Sequence, residues 1–324
     1  MLEWIVGVPL ALMALLIAGL VWFSWKTARK VEAFLPPIGK FVEVDGAKLH
    51  YVEKGDGPPI VMIHGLGGNL LHYVGTVAEE IAKTNRVIII DRPGAGYSER
   101  PAGADATTAT QAAIIQKALD KLGIKQPLIV GHSLGGAISL SHAVLHPGKA
   151  RGYVLIAPLT RVPEEIPPMF KGLNVSSPVM QHLIAWTIGV PMGIKYGPVI
   201  VTAVFAPQAP TPDFPTASGG LLGLRPKAII TNMKDFTAST VTIRDLHTQY
   251  GDIKAPVLCL YGVADRVLKA HHHLAVLETI PGIEVETIDH AGHMLMHNEP
   301  QAVIAAIRKL DAKSRGEPRV AAAL

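Results

Sequence analysis

The segment Gly131-His132-Ser133-Leu134-Gly135-Gly136 constrains this chain more than any other. The apolar stretch Pro127–Val130 runs into it. Small apolar residues at helical spacing run out of it, from Leu134 to His146, until Pro147-Gly148 stops them. A strand turning sharply into a helix forces the turning residue into a strained backbone conformation, with its side chain pointing out of the sheet. Glycines flank the turn because side chains there would strike the strand and the helix. In this setting G-x-S-x-G predicts a nucleophilic Ser133 rather than a serine helix cap.

A serine nucleophile needs a base to take its proton, and the base needs a carboxylate to fix its tautomer and stabilise its charged form. For an elbow of this kind the order along the chain is Ser, then acid, then His. Val257–Tyr261 reads as a buried strand, and the turn after it carries Asp265. Glu284–Ile288 reads as the next strand, followed by Asp289-His290-Ala291-Gly292-His293. Asp265 and His293 are the predicted acid and base. His290 is the rival base, but Gly292 permits a tight loop that aims His293 back at the elbow, so His290 is read as a structural hydrogen-bonder. Asp289 is the outside candidate for the acid. The loop after Tyr153–Ile156 carries no carboxylate.

Developing negative charge on a tetrahedral intermediate needs two fixed N–H donors. One is predicted at Leu134, directly after the nucleophile. The other is predicted at Leu66, in the loop His64–Asn69 that follows the apolar strand Ile60–Ile63.

These motifs, with Asp91–Ser98 between them, resemble the α/β-hydrolase superfamily over roughly Gly39 to Leu310. The resemblance implies a mostly parallel eight-stranded sheet with helices on both faces and a cap inserted after the sixth strand. Asp91-Arg92-Pro93-Gly94 is read as structural loop chemistry. Epoxide hydrolases and haloalkane dehalogenases share much of the pattern but carry Asp as nucleophile, and Ser133 argues against both.

Ile5 to Phe23 is an apolar run without a charge. As a helix it spans about 28 Å, close to a bilayer core. Trp4, Trp22 and Trp25 stand at its ends, as an aromatic belt would. Lys26, Arg29 and Lys30 follow it, and only Glu3 precedes it. This predicts a single-pass membrane anchor with the N-terminus outside and the catalytic domain in the cytoplasm. The run's length, Glu3 and the lack of an A-x-A site argue against a cleaved signal peptide.

The formal net charge of +4 is shared between this anchor and the rest of the chain, which leaves no basic groove for nucleic acid. The one cysteine, Cys259, lies in an apolar strand and reads as core. No Cys/His cluster has metal spacing and no glycine-rich phosphate motif is present, so neither metal nor cofactor is expected. His271-His272-His273 is read as a solvated helix face.

The resulting organisation is an anchor (1–30), a first core segment (31–159), a helical cap (160–255), a second core segment (256–312) and a flexible tail (313–324). Val31–Lys40 reads as a linker, Phe41–Glu53 as a hairpin turning at Asp45-Gly46, and the stretch near Leu70–Thr84 as a helix. In the cap, Gly189, Pro191, Gly193, Gly197 and Pro198 are expected to break the apolar run into short pieces, which argues against a second span over Val179–Ala206. Pro226–Phe236 and Thr240–Tyr250 read as two further helices. Met180, Ile184, Trp186, Met192, Tyr196 and Phe205 are candidates to line an acyl pocket. The expected function is hydrolysis of a carboxylic ester, of apolar or lipid-like character, through an acyl-enzyme on Ser133. Acyl transfer, perhydrolysis and carbon–carbon bond hydrolysis could use the same residues. A ligand-binding protein on the same fold is the alternative from another class.

Overall fold

The computed structural model describes residues 2–316, with side chains from Gly7 onward. The side chain of the anchor tryptophan Trp4 and residues 317–324 of the expected tail lie outside what is described. Helix α1 (Leu2–Phe34) is followed by strands β1 (Lys40–Val44) and β2 (Ala47–Lys54). These two form the expected hairpin, and Asp45 and Gly46 turn it with φ of 46° and 78°. Helix α1 continues past the expected anchor boundary. Val31, at its C-terminal end, is buried, so much of the expected linker is helix.

Next come β3 (Pro59–Ile63), the short helices α2 (Leu71–Val74) and α3 (Ala78–Ile81), and β4 (Arg86–Ile90). A single helix was expected where α2 and α3 lie. Gly75 ends the first of them, and the Thr76 hydroxyl donates to the His72 carbonyl at 2.7 Å. Helix α4 (Thr108–Lys121) starts on a Thr107 cap whose side chain accepts from the Thr110 N–H. Then follow β5 (Leu128–His132), α5 (Leu134–Leu145) and β6 (Gly152–Ile156).

The cap holds α6 (Pro178–Ile184), α7 (Val190–Phe205) and α8 (Pro226–Leu246). The core resumes with β7 (Val257–Gly262), α9 (Ala270–Leu277), β8 (Glu284–Ile288), α10 (Leu295–Asn298) and α11 (Pro300–Ser314). The eight strands form one sheet in the order β1-β2-β4-β3-β5-β6-β7-β8. Both pairings of β2 are antiparallel and all others are parallel. Strands β3 to β7 are almost wholly buried, as a parallel sheet covered on both faces requires. Cys259 lies in that core.

Three cap and tail expectations are corrected. The glycines and prolines of the apolar run do not break it: α6 and α7 join through a π turn at Ala185–Gly189 into one helical run, Pro178–Phe205. Pro191 follows directly on the π turn, where the helix is already locally rewound. Pro198 lies inside α7, and the Thr202 hydroxyl occupies its carbonyl at 2.9 Å. The two helices expected after Pro226 are one, α8. Its central hydroxyls bond back to the preceding turn, Thr237 to Met233 O and Ser239 to Phe236 O, so the polar residues between the two expected helices stay helical. At the C-terminus, α11 carries the chain through Ser314, past the boundary expected for the tail.

Candidate active site

Parallel strands deliver their C-terminal ends to one edge, and the predicted site residues lie on the loops there. Ser133 has φ 53° and ψ −117°, the strained turn expected of the elbow. Two glycines make that turn possible. A Cβ on Gly135 would stand 2.1 Å from the Ile63 carbonyl oxygen, and one on Gly131 would stand 2.3 Å from Ser139 Oγ. The Ser133 N–H donates to Ile156 O at 3.0 Å and its carbonyl accepts from the Leu159 N–H at 3.0 Å, which pins the strained residue between two neighbours.

Asp265 is buried in the loop after β7. Its Oδ1 accepts from the N–H groups of Val267 (2.7 Å) and Leu268 (2.9 Å). Its Oδ2 accepts from His293 Nδ1 at 2.7 Å. This fixes His293 as the Nδ1–H tautomer and leaves Nε2 free to act as a base. His293 is itself buried and lines the same cavity as Ser133. The rivals are elsewhere: His290 is exposed and pairs with Glu299 Oε1 at 3.0 Å, and Asp289 is exposed. A Cβ on Gly292 would stand 2.4 Å from the Ala206 carbonyl of the cap, so glycine is needed there for a close approach.

Leu134 is the first residue of α5, where the N–H has no partner within the helix. Among the described residues no acceptor pairs with the Leu66 N–H. Both residues line the cavity beside Ser133. The Leu66 loop is held from beneath: the Gly65 carbonyl accepts from His64 Nδ1 (2.9 Å) and Arg92 Nη2 (3.1 Å). His64 Nε2 accepts from the Arg92 N–H, so both ring nitrogens are occupied. Burial pushes His64 down to about 3, and it stays neutral.

Asp91 is structural, tying three segments together. It accepts from the N–H groups of Leu70 (2.8 Å) and Tyr97 (2.9 Å) and from His50 Nδ1 (2.8 Å). Arg92 is fully buried. Its Nη1 donates to Gln111 Oε1 (2.9 Å) and to cap residue Asp235 Oδ2 (2.6 Å). Arg100 reaches the other oxygen of the same carboxylate.

The cavity measures about 500 Å³. Ser133 lines it, together with the apolar side chains of Leu159, Ile166, Phe170, Val201 and Phe236. Of the six residues expected to line it, only Phe205 does. Met180, Met192 and Tyr196 point outward because the continuous α6–α7 run sets a helical phase that a broken one would not have. The expectation of a solvated His271–His273 face is also overturned: His272 and His273 are buried. His273 Nδ1 accepts from the Thr160 N–H (3.3 Å), and the Thr160 hydroxyl donates to His273 O (2.8 Å). These histidines clamp the start of the cap onto α9.

One residue within the elbow itself was passed over. His132 Nε2 donates to the His293 carbonyl at 3.1 Å, and the two rings lie 4.8 Å apart. Burial holds His132 well below the usual histidine range, so it serves as a neutral donor that ties the His293 loop to the elbow. Among the described residues no cluster of three or more His, Cys, Asp or Glu could hold a metal ion.

Residues 58–300 match the family profile described as alpha/beta hydrolase fold. Among curated relatives, an uncharacterized protein of Mycobacterium tuberculosis is 28% identical over 88% of this chain and 84% of its own length. A 2-hydroxymuconate semialdehyde hydrolase of Pseudomonas putida is 28% identical over 80% of this chain and 88% of its own. Among solved structures, a membrane phospholipase A described as a bacterial virulence factor superposes with a TM-score of 0.70. It is 24% identical and covers 97% of this chain and 99% of its own. An esterase of Exiguobacterium antarcticum superposes with a TM-score of 0.66 at 20% identity, over 86% of this chain and all of its own. The profile spans most of the chain, and with the sheet order and the elbow it establishes that this protein belongs to the alpha/beta hydrolase fold family.

Proposed function

We propose that this chain is a membrane-anchored serine hydrolase that cleaves carboxylic esters with an apolar acyl or alcohol part. The observation that carries the reading is the convergence of Ser133 and the Asp265-oriented His293 on a largely apolar cavity. Ser133 Oγ attacks the ester carbonyl while His293 Nε2 takes its proton. The N–H groups of Leu66 and Leu134 receive the negative charge on the tetrahedral oxygen. His293 then protonates the leaving alcohol, and water, activated the same way, releases the acid from the acyl-enzyme. Asp265 stays ionised and stabilises the imidazolium formed in each half-reaction.

The carbon–carbon hydrolase among the relatives supports a second use of the same residues. Its named substrate is a muconate, which carries a carboxylate. The lining of this cavity contains no Lys or Arg among the described residues, which favours an uncharged apolar substrate here. Helix α1 is long and apolar enough to cross a membrane. The neighbouring membrane phospholipase A supports anchoring and a lipid-like ester. Lys26, Arg29 and Lys30 beyond the apolar run orient the catalytic domain toward the cytoplasm.

The test is covalent labelling by a fluorophosphonate together with hydrolysis of a short p-nitrophenyl ester. Ser133→Ala should lose both while keeping its melting temperature. Labelling that persists in this variant would overturn the assignment. A panel of long-chain monoesters and a 2-hydroxy-6-oxo dienoate, run with the wild-type chain, separates ester from carbon–carbon cleavage.

A further inference from the structure

The outward face of the cap is apolar and exposed, and α1 fixes where it sits. From Gly7 to Gly19, α1 stands clear of the protein. From Leu20 onward it lies against the cap: Leu20, Val21, Ser24, Thr27, Ala28 and Val31 are partly or fully buried at three- and four-residue spacing. The surface it meets is the π turn at Ala185–Gly189, the turn at Gly220–Leu224, and parts of α7 and α8. A Glu32–Arg225 ion pair (3.6 Å) and a hydrogen bond from Tyr97 Oη to the Leu35 carbonyl hold it there. The apolar run Ile5–Phe23, about 28 Å long as a helix and close to the thickness of a bilayer core, ends within the first residues that meet the cap. The junction of α6 and α7 therefore begins where the hydrocarbon ends.

On its outward side the α6–α7 run carries Val179, Leu183, Ile188, Met192, Ile194 and Val199, exposed between 46% and 76%. A row of this extent is far more apolar surface than a water-facing helix keeps. Lys195 lies over the Tyr196 ring, 4.6 Å separates Lys26 from the Trp22 ring centroid, and the Lys195 distance is 5.1 Å. Paired aromatic and basic residues of this kind suit the headgroup zone. The opposite face of the same helix lines the cavity, through Gly193, Gly197, Ile200, Val201 and Val204. Gly197 and Gly223 line the cavity and are also partly exposed, and a Cβ at either would meet nothing within 4 Å, so no side chain closes the wall there.

We infer that the α6–α7 face is bedded in the membrane leaflet beside α1, and that the cavity receives its substrate sideways from that leaflet, through the wall at Gly197 and Gly223. The occupant of the apolar face is lipid, and the inference rests on the anchored-hydrolase reading above. One helix then serves two solvents: its outer face meets acyl chains of the bilayer, and its inner face meets the acyl chain of the bound ester. An apolar ester is transferred between the two without crossing water.

The test uses the full chain in phosphatidylcholine vesicles. Cys259 is the sole cysteine and is fully buried, so Val199→Cys can be labelled alone with an environment-sensitive fluorophore. Leu145→Cys is the control. It ends α5, a helix that starts at the elbow and runs away from the cap edge of the sheet, and it is exposed. The Val199 label should lose at least about half its emission to lipids spin-labelled near the headgroup and resist aqueous iodide. The Leu145 label should do the reverse. Iodide quenching of the Val199 label on vesicle-bound protein would overturn the inference and leave the anchor intact. Protection from both quenchers would show a second copy on this face and would also overturn it. Protein that does not float with the vesicles would refute the anchor itself. In a second arm, Val199→Glu should lose about tenfold in rate on a long-chain monoester embedded in vesicles and keep its rate on a short soluble ester. Equal rates on both substrates would refute delivery from the bilayer, and equal losses on both would mark the variant as structurally damaged, leaving the quenching arm to decide.

Discussion

Lowering the pH from about 7.5 toward 5 should unfold this protein, and the buried histidines set how steeply. Burial holds His64, His142 and His273 down to about 3, and His297 down to about 4. In an unfolded chain a histidine takes up its proton near pH 6.5. Above that pH both states hold these rings neutral, and they contribute no pH dependence. Below it the unfolded chain binds protons that the folded chain refuses. Stability then falls as pH falls, and goes on falling until the folded values near 3 to 4 are reached. One such ring costs about 1.4 kcal/mol at pH 5.5, and four cost about 6 kcal/mol. At pH 5 the four cost about 8 kcal/mol. His72 and His132, also lowered by burial, act in the same direction. Whole domains are stable by about 5–15 kcal/mol, so the loss is comparable to the total.

The assay is thermal unfolding of the full chain in a nonionic detergent, followed by near-ultraviolet circular dichroism. The buried tyrosines Tyr73, Tyr153, Tyr250 and Tyr261 report the core, whereas three of the four tryptophans lie in α1. The melting temperature should drop steadily below pH 6.5, with about four or more protons taken up on unfolding near pH 5.5. His142→Gln should remove about one of them, since glutamine can still bond to Tyr153 Oη and Gln116. A melting temperature that is flat between pH 7.5 and 5.5 would refute the reasoning, because the folded protein would then be protonating these rings.

Two further predictions concern the site and its clasp. His293→Ala should lower kcat on a short ester by several orders of magnitude and Asp265→Asn by about a hundredfold or more, whereas His290→Ala and Asp289→Asn should stay within about threefold; a larger loss from Asp289→Asn would overturn the choice of acid. Asp235→Ala strands two buried guanidinium groups, Arg92 and Arg100. It should cost about 3–5 kcal/mol, read as a fall of about 6–15 °C in melting temperature, and a fall of under about 3 °C would show that the clasp carries little.

What could be read from the sequence was local. The elbow is legible because strand, strained residue and helix are contiguous, and the glycines at 131 and 135 are forced by contacts within that unit or just beside it. Asp265 and His293 are legible because each follows a recognisable apolar strand. The cap was misread where local rules gave way to packing. Gly189 and Pro191 look like breakers, yet a π turn absorbs them, and with the break removed the helical phase turns Met180, Met192 and Tyr196 outward. His272 and His273 looked solvated because their neighbours in the chain gave no sign that the cap would be clamped over them. The Arg92–Asp235 pair joins residues 143 positions apart, and nothing in either neighbourhood announces the other. His132 was hidden in the variable position of the elbow pattern itself.

The long-range contacts also determine how the cap can work. Its start is held by Thr160, bonded to His273 and accepting from Tyr250 Oη at 2.9 Å. Its middle is held by Asp235 against two core arginines, one of which also supports the Gly65 carbonyl under the Leu66 loop. Beyond α7, Gln208 Oε1 accepts from the Gly292 N–H, immediately before His293. Two of these clasps reach the loops of the candidate site: Gln208 bonds beside His293, and Asp235 acts through Arg92 on the Gly65 carbonyl. A cap that swung open as a lid would have to break buried ion pairs and would disturb the Leu66 loop and His293 together, which the proposed mechanism needs held within a fraction of an ångström. A clamped cap keeps that geometry during substrate exchange, and the route to Ser133 must then be a standing gap in its wall. Gly197 and Gly223 line the cavity, are partly exposed and leave open space where a Cβ would stand, so a fixed cap and the proposed sideways route from the bilayer are two aspects of one arrangement.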